Sequence, residues 1–272
     1  MRGKLKKLFA AVLAVLLALS FSGCSELTGL DAQALMFPPK TTADREAIYA
    51  LMGGGVGDVT LVYPKCGDYR SAIISRDLDG CGTSEVVSFC ANGDAGGTRL
   101  EFFKKNTDGV WSSMARFTSA ATQVDKVFFG DLTGDGMDEI IVGWGDPLTA
   151  TASVSVYYVD GDTIREFSMT TVSYSEMLLT DFDSDNIKEL FVLQAAQTSG
   201  EEIMALGGLY RFDGDQPYVS KTVPLDAAVT RYTSVSFSQV NSWRRAAVLD
   251  GVKADGRMLT QVIGYDEASD RL

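Results

Sequence analysis

The chain has 272 residues, of which 46% are apolar, a formal net charge of −12 and no histidine. That apolar share suits a folded chain rather than a disordered one, and the length allows one large domain or two ordinary ones. The acidic balance speaks against nucleic acid, whose phosphates need a basic surface, and without histidine there is no histidine base, ligand or triad.

The first 24 residues read as an export signal. Arg2, Lys4, Lys6 and Lys7 form a positive head, and Leu8 to Leu19 an apolar core too short to span a bilayer comfortably. Phe21-Ser22-Gly23-Cys24 follows. A small residue before a cysteine here resembles the lipobox of bacterial lipoproteins, with Phe21 where leucine is usual. The resemblance implies a signal peptide over 1–23, a lipid on Cys24, and a protein at the cell membrane facing the extracytoplasmic side. An acidic body is repelled by anionic membrane surfaces, so the lipid rather than charge would hold it there.

Residues 24–57 are expected to be a tether and a short helix. The tether ends in Pro38-Pro39, Thr41 or Thr42 caps the helix, and Ala43 to Met52 forms it before Gly53-Gly54-Gly55 stops it. Ala43, Ile48, Leu51 and Met52 make its expected buried face, a small cap on the main domain.

From Asp58 onward the signal is almost all strand. Asp58 to Tyr63 is one expected strand. Three units then share a plan. A first strand (Ser71–Arg76, Val124–Phe129, Ser175–Thr180) enters an acidic turn, and a second leaves it (Glu85–Cys90, Glu139–Gly143, Glu189–Leu193). A third ends at Asp108-Gly109, Asp160-Gly161 or Asp213-Gly214, a dipeptide that favours the primed hairpin turns. A fourth (Val110–Phe117, Thr163–Met169, Pro217–Val223) closes the unit. A fourth unit begins near Tyr232. Its turn, Phe237 to Arg245, has lost every carboxylate, and Asp266 falls where its hairpin turn belongs.

The acidic turns recur at intervals of about 50 residues, the period of stacked supersecondary units. Four antiparallel strands per unit is the content of a propeller blade. The expected fold is therefore all-β, a β-propeller with blades at about 71–117, 124–169, 175–223 and 232–272. Four units with an unfinished last one leave two closures open: a C-terminally truncated longer ring, or a compact four-bladed one.

Each turn alternates oxygen side chains toward one point, as a hard divalent cation requires. The second has Asp131, Thr133, Asp135 and Glu139 at positions one, three, five and nine, with Gly134 and Gly136 easing the backbone path. The third has Asp181, Asp183, Asp185 and Glu189, and the first Asp77, Asp79 and Glu85. Cys81 takes the first turn's fifth position, where a thiol is a poor ligand for a hard cation. The third turn has Asn186 where glycine is usual, and asparagine accepts the left-handed conformation. The plain alternative is a set of solvated hairpin turns, and Asp138 reads as a solvated charge.

Phe129-Gly130, the acidic loop, Val142-Gly143-Trp144-Gly145 and Val154-Ser155-Val156-Tyr157-Tyr158 together resemble the FG-GAP repeat. That repeat builds the seven-bladed propeller of integrin alpha subunits and of bacterial VCBS-type surface proteins. The resemblance covers about residues 58–265 and is weakest in the fourth unit. It implies calcium as a structural ion, held by the turn residues named above, with the carbonyls of Thr83, Met137 and Ile187 at position seven. It also implies a surface module that binds a protein or glycan.

The remaining features point to no catalysis. Cys66, Cys81 and Cys90 match no zinc spacing. Repetition of the acids argues for scaffold. The alternative is a carbohydrate-active enzyme or accessory subunit, for which two unique carboxylates outside the turns would be needed. Trp111, Trp144, Tyr157, Tyr158 and Trp243 either stack sugars or pack between blades.

Overall fold

A computed structural model describes residues 43–55, 57–146, 151–167, 172–199, 202–214, 216–241, 244–266 and 268–272. Cys24, the tether and Trp243 lie outside the described residues. The chain divides into two compact units, Met1–Arg45 and Glu46–Leu272. Of the first, only Ala43 to Arg45, the opening of the helix, is described.

The second unit is all-β apart from its helix and consists of four antiparallel sheets in chain order. The first holds β1 (Ile73–Arg76), β2 (Glu85–Ala91), β3 (Thr98–Lys105) and β4 (Trp111–Ser119). In the second are β5 (Gln123–Gly130), β6 (Glu139–Asp146), β7 (Thr151–Asp160) and β8 (Thr163–Glu166), with the two-residue β9 (Val172–Ser173) also on β7. The third comprises β10 (Glu176–Thr180), β11 (Glu189–Ser199), β12 (Glu202–Asp213) and β13 (Gln216–Leu225). The fourth has three strands, β14 (Val229–Asn241), β15 (Arg244–Lys253) and β16 (Met258–Ile263).

The second strands of the middle two sheets are apolar on both faces, because alternate side chains serve two neighbours. In β6, Ile140 and Val142 pack toward the first sheet and Ile141 toward the third. In β11, Leu190 and Val192 face the second sheet while Phe191 and Leu193 face the fourth. Three apolar clusters thus join consecutive sheets, and among the described residues none joins the fourth sheet to the first. The outer face of the first sheet is covered instead by helix α1 (Ala43–Leu51), where Ile48 and Met52 meet Val86, Cys90 and Phe103.

Several expectations need correction. Ala43 is exposed, and Tyr49 takes its place among the buried residues. Asp58 to Tyr63 is not a strand: it contributes a single bridge, Leu61 to Cys90, flanked by Val62 N–H to Phe89 O at 3.0 Å. The segment is spent on lengthening the first sheet on the β1 side of β2. Two hairpins are centred one residue later than Asp-Gly suggests, since Asp160 pairs with Thr163 and Asp213 with Gln216. Trp144 and Tyr157 are 4% and 2% exposed, so they pack inside rather than offer faces to sugars.

Candidate metal centre

The three acidic turns are built alike. Each starts with an aspartate that accepts backbone N–H groups from its own turn. Asp131 Oδ1 accepts from Gly134 at 2.6 Å, and its Oδ2 from Gly136 at 2.9 Å. Asp181 accepts from Ser184 at 2.7 Å and Asn186 at 3.1 Å, and Asp77 from Gly82 at 2.9 Å. Positions four and six have positive φ in all three turns. They are Gly80 and Gly82, Gly134 and Gly136, and Ser184 (66°) and Asn186 (71°). The third turn thus holds two side-chain-bearing residues in the left-handed region, where L-residues pay a steric cost.

The residue after the leading aspartate is a buried anchor: Leu78, Leu132 or Phe182. Its N–H donates to the glutamate at position nine, at 2.9 Å to Glu85, 2.6 Å to Glu139 and 2.8 Å to Glu189. These glutamates are 0%, 2% and 1% exposed. Burial, followed by the neighbouring Asp135 and Asp131, pushes Glu139 up to about 7. Burial likewise lifts Glu189 to about 7, with Asp183 next among the causes that raise it. Burial also raises Glu85. A buried carboxylate among carboxylates favours its neutral form unless a cation stands by.

The turns form one row. Asp138 N–H donates to Leu78 O at 3.2 Å, and Lys188 N–H to Asp131 O at 2.8 Å, so position eight of the second and third turns bonds to the turn before it. Asp138 is not simply solvated: it pairs with Arg76 at 2.5 Å.

Two turns gather ligand atoms within 4.8 Å of one another: Asp77, Asp79 and Cys81 in the first, and Asp181, Asp183 and Glu189 in the third. Either cluster is chemically able to hold a metal ion, and carboxylate oxygens suit calcium. Asp185 lies outside the third cluster, its Oδ1 accepting from Ile187 N–H at 2.8 Å. Asp135 does the same for Met137 at 2.8 Å. The second turn brings no such group of three together among the described residues, and its third position is Thr133. Four buried oxygens in the turns lack a hydrogen-bond partner: Asp77 Oδ1, Glu85 Oε1, Thr133 Oγ1 and Asp183 Oδ1. Leaving such an atom unpaired costs about 1–3 kcal/mol, more for a charged group, and a cation would satisfy all four.

Sequence reasoning missed the cations. Lys104 Nζ lies 2.7 Å from Asp79 Oδ2. Arg211 pairs with Asp183, and with Glu189 Oε1 at 2.9 Å. Burial opposes it, but hydrogen bonds from Cys81 and Lys104 hold Asp79 at about 2. Lys104 and Arg211 sit two strands away in the register, so only strand pairing could have revealed them.

A second polar network lies at the other end of the first strands. Cys66 Sγ is 3.3 Å from Asp125 Oδ1, Tyr174 Oη donates to Asp125 Oδ2 at 2.7 Å, and Lys126, 7% exposed, pairs with Glu176. Asp125 and Glu176 are unique carboxylates outside the turns, and Lys126 stands against both. Cys66, Cys81 and Cys90 are free thiols. No helix among the described residues is long and apolar enough to cross a membrane. No protein-family model matches the chain, and no curated protein matches it.

Proposed function

We propose that the chain is a surface-anchored lipoprotein whose repeated sheets form a calcium-stabilised β-propeller of the FG-GAP kind. It acts as a binding or adhesion module for a protein or a glycan. The observation that carries the calcium reading is the threefold repetition of one turn, with buried carboxylates raised in pKa and buried oxygens left unpaired. Independent acidic hairpins have no reason to repeat the same hydrogen bonds, the same positive-φ positions and the same buried glutamate.

The ion's role in this reading is structural. It cancels carboxylate repulsion and, by binding only the folded state, stabilises it through mass action. Anchoring through a lipid on Cys24, with the sheets on the extracytoplasmic side, follows from the amino-terminal residues alone. The test is thermal unfolding of the chain in calcium and in chelator. Calcium should raise the midpoint, and replacing turn aspartates should reduce that rise. An identical midpoint in both buffers would sink the calcium reading.

A further inference from the structure

A strand at the end of a sheet presents a row of N–H and C=O groups that another chain can take up, and charges or prolines blunt such an edge. The end strands of the first three sheets all carry one or the other: β4 has Arg116, β8 has Arg165 and Glu166, and β13 has Pro217, Lys221 and Pro224. In the fourth sheet β14 has Arg231, but β16, Met258 to Ile263, has neither charge nor proline. It also ends the sheet that has three strands. Lys253 N–H donates to Arg257 O at 2.9 Å where β15 turns into β16. Alternation along the antiparallel ladder then bonds Leu259, Gln261 and Ile263 to β15, and turns the backbone groups of Met258, Thr260 and Val262 to the open side. Among the described residues no strand pairs with them there. Leu259 and Ile263 pack toward the third sheet, so the side chains of Met258, Thr260 and Val262 share the opposite face. Met258 is 65% and Val262 53% exposed, the most exposed large apolar side chains of the described strands.

We infer that β16 is a dimerisation edge, pairing antiparallel with β16 of a second copy of this chain about a two-fold axis at Thr260. In that register Thr260 opposes the second copy's Thr260, and Met258 opposes the second copy's Val262. The outward residues of the two strands then exchange about six backbone hydrogen bonds, and two three-stranded sheets become one continuous sheet. A two-fold contact must be self-complementary, and this edge is: apolar, hydroxyl, apolar reads the same in both directions. Each exposed Met258 covers an exposed Val262, the kind of cross-strand pair that stabilises a sheet. Charge decides between a second copy and another partner. The chain carries −12. A basic partner is drawn to acids, and β16 has none, whereas two acidic chains can approach closely only along an uncharged line. An edge of six residues is smaller than a standard stable interface, so the dimer belongs to micromolar rather than nanomolar concentrations. The inference does not depend on the calcium reading, because the acidic turns join first strands to second ones and β16 is a third strand.

The test is disulfide trapping of the full chain at micromolar concentration in excess detergent, with Cys81→Ser to remove the exposed thiol. In a bonded antiparallel pair the Cα atoms are about 5.5 Å apart, within the span of a disulfide. Thr260→Cys should therefore give a covalent dimer under mild oxidation. Met258→Cys alone and Val262→Cys alone should not, but a mixture of the two should. Without oxidant, sedimentation should show monomer and dimer in equilibrium, shifted toward dimer by salt, which screens the repulsion between acidic chains. Val262→Lys should weaken the dimer about tenfold or more by setting charge on the edge, and its circular dichroism should match that of the unaltered chain because the side chain is exposed. A chain that stays monomeric would overturn the inference, as would single variants that all link alike, which is the mark of chance contact within a micelle. A link from Thr260→Cys to Cys24 of the same chain, or to a different protein, would overturn it too, since another segment would then occupy the edge.

Discussion

The first three sheets and the fourth turn the corner between their first two strands in different ways. In the first three, the chain folds back over eight residues, and an aspartate and a glutamate accept the N–H groups that no strand partner can take. In the fourth, β14 runs to Asn241 and β15 starts at Arg244, so the strands pair up to a two-residue link. The long turn buries an anchor and joins the neighbouring turn, whereas Gln239 and Val240 near the short link stand exposed. A carboxylate in such a turn therefore does two jobs: it replaces a sheet partner for the backbone and brings charge that must be met. Where the turn is lost, as in the fourth sheet, the need for acid goes with it.

The same contrast appears at the opposite end of the first strands. Asp125, Lys126, Tyr174 and Glu176 tie the second sheet to the third, and Cys66 brings in the segment before the first. The fourth sheet meets the third differently: Lys253 of β15 pairs with Asp226, the residue after β13, at 2.7 Å, and Phe182, Phe191 and Phe237 pack between the two sheets toward the turn end.

The largest test of this contrast is Leu132→Ala against Val240→Ala. Leu132 is 1% exposed and Val240 is 49% exposed. Truncating the anchor should cost about 2–5 kcal/mol in chemical denaturation, while the exposed valine should change stability by about half a kcal/mol or less. Similar losses at the two sites would mean that the long turn is no better anchored than the short link. Next in size is metal removal. A ligand at a hundred times its dissociation constant adds about 2.7 kcal/mol, and each kcal/mol moves the midpoint of a chain this size by about 2–4 °C. Chelation should thus lower the melting midpoint by about 5–10 °C, and Asp181→Asn should reduce that difference.

Much of this architecture could be read from the residues. The strands flanking each turn were visible because Asp and Gly cut the apolar runs so sharply that Arg76, Gly130 and Thr180 end first strands and Glu85, Glu139 and Glu189 begin second ones. The asparagine at position 186 was expected to tolerate a left-handed backbone, and it has φ of 71°. Features set by pairing between distant segments were hidden. Lys104 and Arg211 meet their acids only through register. The segment from Asp58 to Tyr63 has strand-like residues, yet its place beside Cys90 allows one bridge. Tyr49 rather than Ala43 faces inward, because which side of a short helix is buried depends on the sheet it meets.

A smaller effect separates the third turn from the second. Asn186→Gly should leave stability within about half a kcal/mol, whereas Asn186→Val should cost about 1–2 kcal/mol, because a β-branched residue resists positive φ. Denaturant midpoints of the two variants check this. Gly136→Val, at φ of 83°, should behave as Asn186→Val does if the turns are equivalent.

The smallest effect concerns the thiols and reads the network at the far end of the first strands. Burial, with Asp125 and Glu176 adding to it against the opposing charge of Lys126, pushes the Cys66 thiol up to about 11. Cys81 is exposed. Only the thiolate reacts with an alkylating agent. At pH 8 iodoacetamide should therefore label Cys81 first, and the Cys66 rate should climb about tenfold per pH unit toward pH 11. The linkage sign follows from a proton held more tightly in the folded state. That contribution to stability is complete below the ordinary thiol value of 9.0 and is lost as pH rises toward about 11. Asp125→Asn removes one charge that holds the proton on Cys66, while the amide retains the shape of the acid beside Tyr174. It should bring forward the labelling of Cys66 without changing that of Cys81. If both thiols respond alike, the effect lies in global opening of the chain, and the network does not hold the second and third sheets together at this end.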